Sequence, residues 1–219
     1  MKLTRIIAIR HGETHWNVDT RIQGHLDIAL NDTGHWQAEQ LARALAHEAI
    51  DAVYCSDLSR AHDTAVALAK SLHLTPTVVP ALRERHFGEF EGLTWKELEE
   101  QFPAQSQAWK SRDPAWLPPQ GESLNQLRVR IEACIQELAQ RHGDQQIVVV
   151  THGGVLDVLY RVATHQFDPS PRTWALGNTY INRLLWSSEG LHLVGWGDHA
   201  HLESPHSSAA KLPSAPHLG

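Results

Sequence analysis

Cysteine is scarce in this chain of 219 residues: there are two, Cys55 and Cys134, far apart and in no C-x-x-C pair. That excludes a disulfide framework and a thiolate metal cluster, and leaves both as small residues for an apolar interior. Lysine and arginine form no run, and the formal net charge is -6. The basic stripe of a nucleic-acid binder is therefore missing, and no nucleic-acid partner is expected. No apolar stretch approaches the ~20 residues that a membrane span needs. The apolar run at residues 6–9 is too short for a secretory core. No membrane partner is expected, and a reducing cytoplasm is the default compartment. None of these absences excludes an anionic substrate, because a few local arginines decide that.

The hydrophobic fraction of 42% and charged fraction of 20% describe a globular chain long enough for a sizeable core without staples. Its pattern alternates strand and helix, which predicts one α/β domain over residues 1–203. The expected architecture is a mostly parallel central sheet of about six strands with helices on both faces. Apolar runs at 6–9, 52–55 and 147–150 read as buried strands, with further strands at 77–79, 179–186 and 191–196. Leu58, Ala61, Ala65, Leu68 and Leu72 keep helical spacing over 57–72. Leu124, Leu127, Ile131, Ile135 and Leu138 do so over 123–141, where Ser123 and Gln126 suggest a capping box. The segment 87–119 stands apart: it holds three of the four phenylalanines and three of the eight tryptophans, interrupted by prolines. It reads as a cap-like insertion over one end of the sheet, and its aromatics would equally suit a homodimer contact. Residues 204–219, rich in Ser, Pro, His and Ala, are expected to form a disordered tail.

The chemistry sits where strands end. Ligands of open α/β sheets bind beyond the carboxyl ends of the strands. The first strand runs into Arg10-His11-Gly12-Glu13-Thr14, and that at 147–150 into Thr151-His152-Gly153-Gly154. One histidine there could be structural, since the chain has 16. Two, each closing a strand, with Gly153 and Gly154 opening a helix, point to an anion site. Arg60 follows the strand at 52–55, and Glu84 follows that at 77–79. Two arginines can hold phosphate oxygens, one neutral histidine can attack phosphorus, the other can donate to the phosphate, and a carboxyl can protonate the leaving oxygen. That set needs no metal. His199 and His201 could chelate one, but no third ligand is spaced with them.

The octet Arg10-His11-Gly12-Glu13-Thr14-His15-Trp16-Asn17 resembles the R-H-G-E-x-x-W-N signature of the histidine phosphatase superfamily, the phosphoglycerate mutase-like fold. Arg21-Ile22-Gln23-Gly24, Ser56-Asp57-Leu58-Ser59-Arg60, Leu82-Arg83-Glu84, Gly121-Glu122-Ser123 and Thr151-His152-Gly153 extend the likeness in family order. The resemblance implies that His11 carries the phosphate. It also implies that Arg10, Arg60 and His152 complete the phosphate pocket, and that Glu84 is the proton donor. Asn17, Gln23, Gly24 and Gly153 would add substrate contacts, although Asn17 and Gln23 also suit plain loop capping. Glu13 suits a helix N-terminus better than the pocket. Glu122 suits a structural role as well as it suits the pocket.

The superfamily holds both phosphatases and mutases. Where the mutases it resembles have a tyrosine and a substrate-binding lysine, this chain has Phe87 and Trp95, with Lys96 one residue later. The expectation is a phosphomonoesterase for a small phosphorylated metabolite, working through a phosphohistidine and without a cofactor. The alternatives are a phosphoglycerate mutase, which would need 2,3-bisphosphoglycerate, and a non-catalytic phosphate-binding module.

Overall fold

Side chains on both faces of the first strand are apolar, so a helix layer must cover each face. The structure, a computed structural model, describes residues 2–168 and 170–203. In chain order its elements are β1 (Thr4–Arg10), α1 (His15–Val18), α2 (Asp32–Leu45), β2 (Ala52–Cys55), α3 (Ser59–Ser71) and β3 (Thr77–Val78). There follow α4 (Trp95–Gln101), α5 (Pro103–Lys110), α6 (Leu124–Arg141), β4 (Gln146–Thr151), α7 (Gly153–Thr164), β5 (Ile181–Ser187) and β6 (Gly190–Asp198). The expected tail at 204–219 lies outside the described residues.

The six strands form one sheet in the order β3-β2-β4-β1-β5-β6. The first four pair in parallel, while β5 and β6 close one edge antiparallel. The mostly parallel α/β sheet expected from the sequence is the observed one. Alternation sorts the core: Ile6, Ala8, Ile147 and Val149 face α6 and α7, whereas Ile7, Ile9, Val148 and Val150 face α2 and α3. Both cysteines are buried and free, one in each layer.

Several boundaries move for local reasons. The helix expected from 57 starts at Ser59, because Ser56 extends the β4 ladder and its hydroxyl accepts the Leu58 N–H. Asp27 then caps the Ser59 N–H at 2.7 Å. The strand expected from 179 starts at Ile181, because Thr179 is a buried turn residue with φ of 57°. The capping box at Ser123 and Gln126 is formed.

Residues 87–119 carry α4 and α5 and a separate apolar cluster. Phe90 and Leu98 sit at its centre with Ile22 from the body, and Phe87, Phe102, Trp109 and Trp116 pack around them. Among the described residues no helix is long and apolar enough to cross a membrane.

Two glycines bring the loop after β1 against α2. A Cβ on Gly34 would collide with the Glu13 carbonyl oxygen, and one on Gly12 with the Gly34 carbonyl oxygen. The Asn31 side chain caps α2 there, accepting from the Gly34 N–H at 2.8 Å. Gly34→Ala should therefore destabilise the fold by about 2 kcal/mol or more, as overpacking of a closed contact does. Urea unfolding measures this, and an unchanged midpoint would show the approach to be loose.

Candidate active site

The register of β1 against β4 builds the centre of the site. Arg10 pairs with Thr151, and the His11 N–H continues the ladder to the Thr151 carbonyl at 2.9 Å. His11 and His152 are thus neighbours just beyond two adjacent parallel strands, with ring centroids 5.3 Å apart. His11 is 3% exposed and His152 is fully buried.

His11 has a defined tautomer. Its Nδ1 lies 2.7 Å from the Gly12 carbonyl oxygen, which can only accept, so Nδ1 carries the proton. Nε2 is left with its lone pair. Burial, then repulsion from Arg10 and Arg60, holds the ring well below the ordinary histidine value despite the opposing Gly12 bond. Burial chiefly, with Arg60, His11 and Arg10 adding repulsion, does the same to His152.

The two arginines are anchored by backbone carbonyls. Arg10 donates Nη1 to Leu176 at 2.6 Å. Arg60, in the first turn of α3 and fully buried, donates Nη1 to Leu26 and Nη2 to Gly24, both at 2.8 Å. Burial pushes Arg60 down to about 10. Arg10 Nε, Arg60 Nε and both ring nitrogens of His152 are buried with no hydrogen-bond partner among the described residues, as is Gln23 Oε1. Buried polar groups are rarely left unpaired, so this cluster calls for a ligand rich in acceptor oxygens. Turning the Gln23 amide over would add its NH2 to the donors.

Glu84 closes the opposite side. Its carboxylate accepts from the Arg85 N–H at 2.8 Å and from the Gly154 N–H, at the start of α7, at 3.0 Å. A Cβ built on Gly153 would lie 3.7 Å from Arg10 Nε and 3.9 Å from Glu84 Oε2, so these groups flank one small space. The N-cap residue of α7 makes no side-chain cap, and the Glu84 carboxylate takes that place at the Gly154 N–H. The Glu84 backbone is itself braced, its carbonyl accepting from His25 at 2.8 Å and Arg130 at 3.3 Å.

The remaining sequence candidates divide. Gly24, with φ of 52°, delivers its carbonyl to Arg60 where a side chain would strike Glu91. Asn17 spends its side-chain oxygen on the Thr14 N–H, in the capping box of α1. Glu13 accepts from Asn31, which caps α2, and Glu122 pairs with Arg130 at 2.7 Å; both are structural.

Three supporting residues were not among the candidates. Asn178 donates to the His11 carbonyl at 2.8 Å. The Thr64 hydroxyl accepts the Gly12 N–H at 3.0 Å. Glu91 accepts from the N–H groups of His25 and Phe87, both at 2.9 Å, tying the loop that holds Arg60 to the segment that carries Glu84. None of the three left a trace in the sequence: Asn178 lies at the amino end of its strand and reaches the site because β5 runs antiparallel to β1. No group of three or more His, Cys, Asp or Glu among the described residues could hold a metal.

Comparison with known proteins agrees with this geometry. The family model for the histidine phosphatase superfamily (branch 1) matches residues 6–199. The chain is 41% identical over 203 residues to phosphoglycerate mutase-like protein 4 of Arabidopsis thaliana, covering 90% of this chain and 86% of that one. It is 38% identical over 206 residues to a metal-independent phosphoserine phosphatase of the same plant, covering 93% and 85%. Its fold superposes with a TM-score of 0.81 on phosphoserine phosphatase of Entamoeba histolytica in complex with 3-phosphoglyceric acid, at 27% identity and covering 91% and 100%.

The depressed histidines have a consequence for stability. Both rings are neutral when folded, with values below the 6.5 of a free ring. Above about pH 6.5 folded and unfolded chains bind the same protons at these rings; below it the unfolded chain binds more, and stability is lost. The limiting slope is about 1.4 kcal/mol per pH unit for each ring. His152→Gln removes one ring, so its stability difference from wild type should shift by about 1 kcal/mol in its favour between pH 7.5 and 5.5. Urea unfolding in phosphate-free buffer reads this; a constant difference would mean that His152 titrates like a free ring.

Proposed function

Because this chain belongs to the histidine phosphatase superfamily, we propose that it is a phosphomonoesterase that hydrolyses a small phosphorylated metabolite through a phosphohistidine at His11. The observation that carries this reading is the set of buried, unpartnered nitrogens on Arg10, Arg60 and His152 around the free Nε2 of His11. A phosphoryl group supplies acceptor oxygens to both guanidiniums and to the one N–H of neutral His152.

In the first step His11 Nε2 attacks phosphorus and the bond to the ester oxygen breaks. Glu84, carrying the proton, gives it to the departing oxygen, and the alcohol leaves. The proton on His11 Nδ1 stays on the ring, donated to the Gly12 carbonyl, which stabilises the positive ring as the N–P bond forms. In the second step Glu84 takes a proton from water, the water oxygen attacks phosphorus, and the N–P bond breaks to regenerate neutral His11. Arg10, Arg60 and the one N–H of neutral His152 bind the oxygens throughout, with the Gly153 N–H and Gln23 beside them. No base is needed to activate His11, and no cofactor or metal enters either step.

The mutase reading is less well supported. A mutase must keep hold of the dephosphorylated acid. Phe87 lies stacked on Trp109, with centroids 5.1 Å apart, and Trp95 packs edge-on against the same ring at 4.7 Å. Both positions serve the aromatic cluster and offer an acid no charge.

His11→Ala should lower phosphate release by several orders of magnitude with the fold retained, and wild-type activity should persist in excess chelator. Activity within tenfold of wild type in the variant, or loss on chelation restored by a divalent ion, would sink the reading. With 3-phosphoglycerate and a trace of 2,3-bisphosphoglycerate, phosphate release should outrun 2-phosphoglycerate formation. An enolase-coupled assay beside a phosphate assay decides, and a hundredfold excess of mutase turnover would reverse the assignment.

A further inference from the structure

Residues 87–119 and the segment between α7 and β5 enclose a second chamber of about 490 Å³. It adjoins the phosphate pocket on two sides. Arg85, on its wall, is the chain neighbour of Glu84. Arg172, also on its wall, stands close enough to Arg10 to lower its proton affinity by like-charge repulsion. The segment that carries Arg172 also delivers the Leu176 carbonyl to Arg10 and the Asn178 amide to the His11 carbonyl.

The chamber is lined by five basic side chains and two aspartates. Three of the five are engaged. Arg161 pairs with Asp157 at 3.0 Å and Lys110 with Glu99 at 2.7 Å. Arg112 donates to the Ser170 carbonyl at 3.1 Å. Arg112, Arg85 and Arg172 have no carboxylate within ion-pair distance among the described residues, and the last two lie on the sides nearest the phosphate pocket. Arg85 is 4% exposed and reaches only the carbonyls of Glu122 at 2.7 Å and Trp116 at 3.4 Å. Arg172 makes no hydrogen bond or ion pair among the described residues, and its guanidinium is accessible. A buried guanidinium and an accessible, unpaired one thus line the same chamber, with aromatic side chains around them, and give its wall positive charge. The lysine next to the Trp95 position does not contribute: Lys96 is 85% exposed and faces Glu100.

We propose that Arg172 and Arg85 form a subsite for a second anionic group of the substrate. The enzyme then prefers phosphomonoesters that carry a carboxylate or a second phosphate over matched neutral ones. This rests on the phosphatase reading and supplies, from the segment before β5, the charge that Phe87 and Trp95 do not. The phosphoryl group lies at His11 while the second oxyanion bridges the two guanidiniums, so the leaving group is held by its charge and not by its shape.

Two matched pairs test it: 3-phosphoglycerate against glycerol 3-phosphate, and propane-1,3-diol bisphosphate against 3-hydroxypropyl phosphate. At least one pair should show kcat/KM tenfold or more in favour of the charged member, and which pair does so separates carboxylate from phosphate. In Arg172→Gln that ratio should fall severalfold through KM, and Arg172→Lys should restore part of it. Arg85→Gln should act likewise, but its burial puts the fold at risk, so the exposed Arg172 decides. Equal rates within both wild-type pairs, or a preference that survives Arg172→Gln, overturns the subsite. Calorimetric titration of the same pairs into His11→Ala protein reads the preference without turnover. Selective, Arg172-dependent binding without hydrolysis by wild type would keep the subsite and discard the phosphatase reading; indiscriminate hydrolysis would do the reverse.

Discussion

Arg10, Arg60, His11 and His152 are gathered at the edge of the sheet where the parallel strands end, and among the described residues neither arginine forms an ion pair. Carboxylates would neutralise the guanidiniums but would also occupy the space a phosphoryl group needs. The charge is instead held by neutral dipoles: the carbonyls of Leu176, Gly24 and Leu26 each accept from a guanidinium. Neutral carbonyls hold the guanidiniums in place without cancelling their charge. The remaining Nε groups and the His152 ring are left for the ligand. A buried donor kept from any acceptor costs about 1–3 kcal/mol, so these groups favour a ligand that brings oxygens to them.

Much of the loop structure follows from delivering those carbonyls. Gly24 takes a left-handed conformation so that its oxygen meets Arg60, and Glu91 fills the space its missing side chain leaves. Glu91 then fastens the loop through the His25 N–H and the segment after Glu84 through the Phe87 N–H. His25 returns a bond to the Glu84 carbonyl. Arg60 and Glu84, phosphate ligand and proton donor in the proposed reaction, are therefore parts of one hydrogen-bonded unit, although they come from different segments. On the other side Asn178 fixes the His11 backbone and Leu176 fixes Arg10, so the segment before β5 has the corresponding task.

These dependencies explain what the sequence disclosed. The sheet was legible because strands buried on both faces have few compatible residues, as in residues 147–150, and because α3 and α6 keep an apolar face at helical spacing. Arg10, His11 and His152 were legible because each directly follows such a run, and Arg60 because it falls in the first turn after one. Glu91 was not, since in sequence it is one more acid among aromatics, and its buried position depends on a loop more than sixty residues away. Arg172 lies where no periodicity exists, and its significance comes only from the chamber it lines. For Asn17 the resemblance favoured substrate binding over loop capping, and the side-chain oxygen is found on the Thr14 N–H. Residues positioned by the strand they terminate can be read locally; those positioned by another loop cannot.

Neutrality of His11 follows from the same arrangement that binds phosphate. Burial, and two guanidiniums that the Glu84 carboxylate offsets only in part, disfavour a second proton on the ring, and the Gly12 carbonyl selects which nitrogen keeps the first. When a phosphoryl group enters, its negative charge offsets the guanidiniums, and the repulsion that kept the ring neutral falls. A ring that has formed the N–P bond carries positive charge, which the arriving phosphate oxygens now favour. The electrostatic field thus opposes the charged ring in the empty site and supports it in the covalent one. The nucleophile is prepared by an imbalance that its own substrate corrects, which is why a carboxylate placed against Arg10 or Arg60 would weaken the site twice, by filling the pocket and by removing the imbalance.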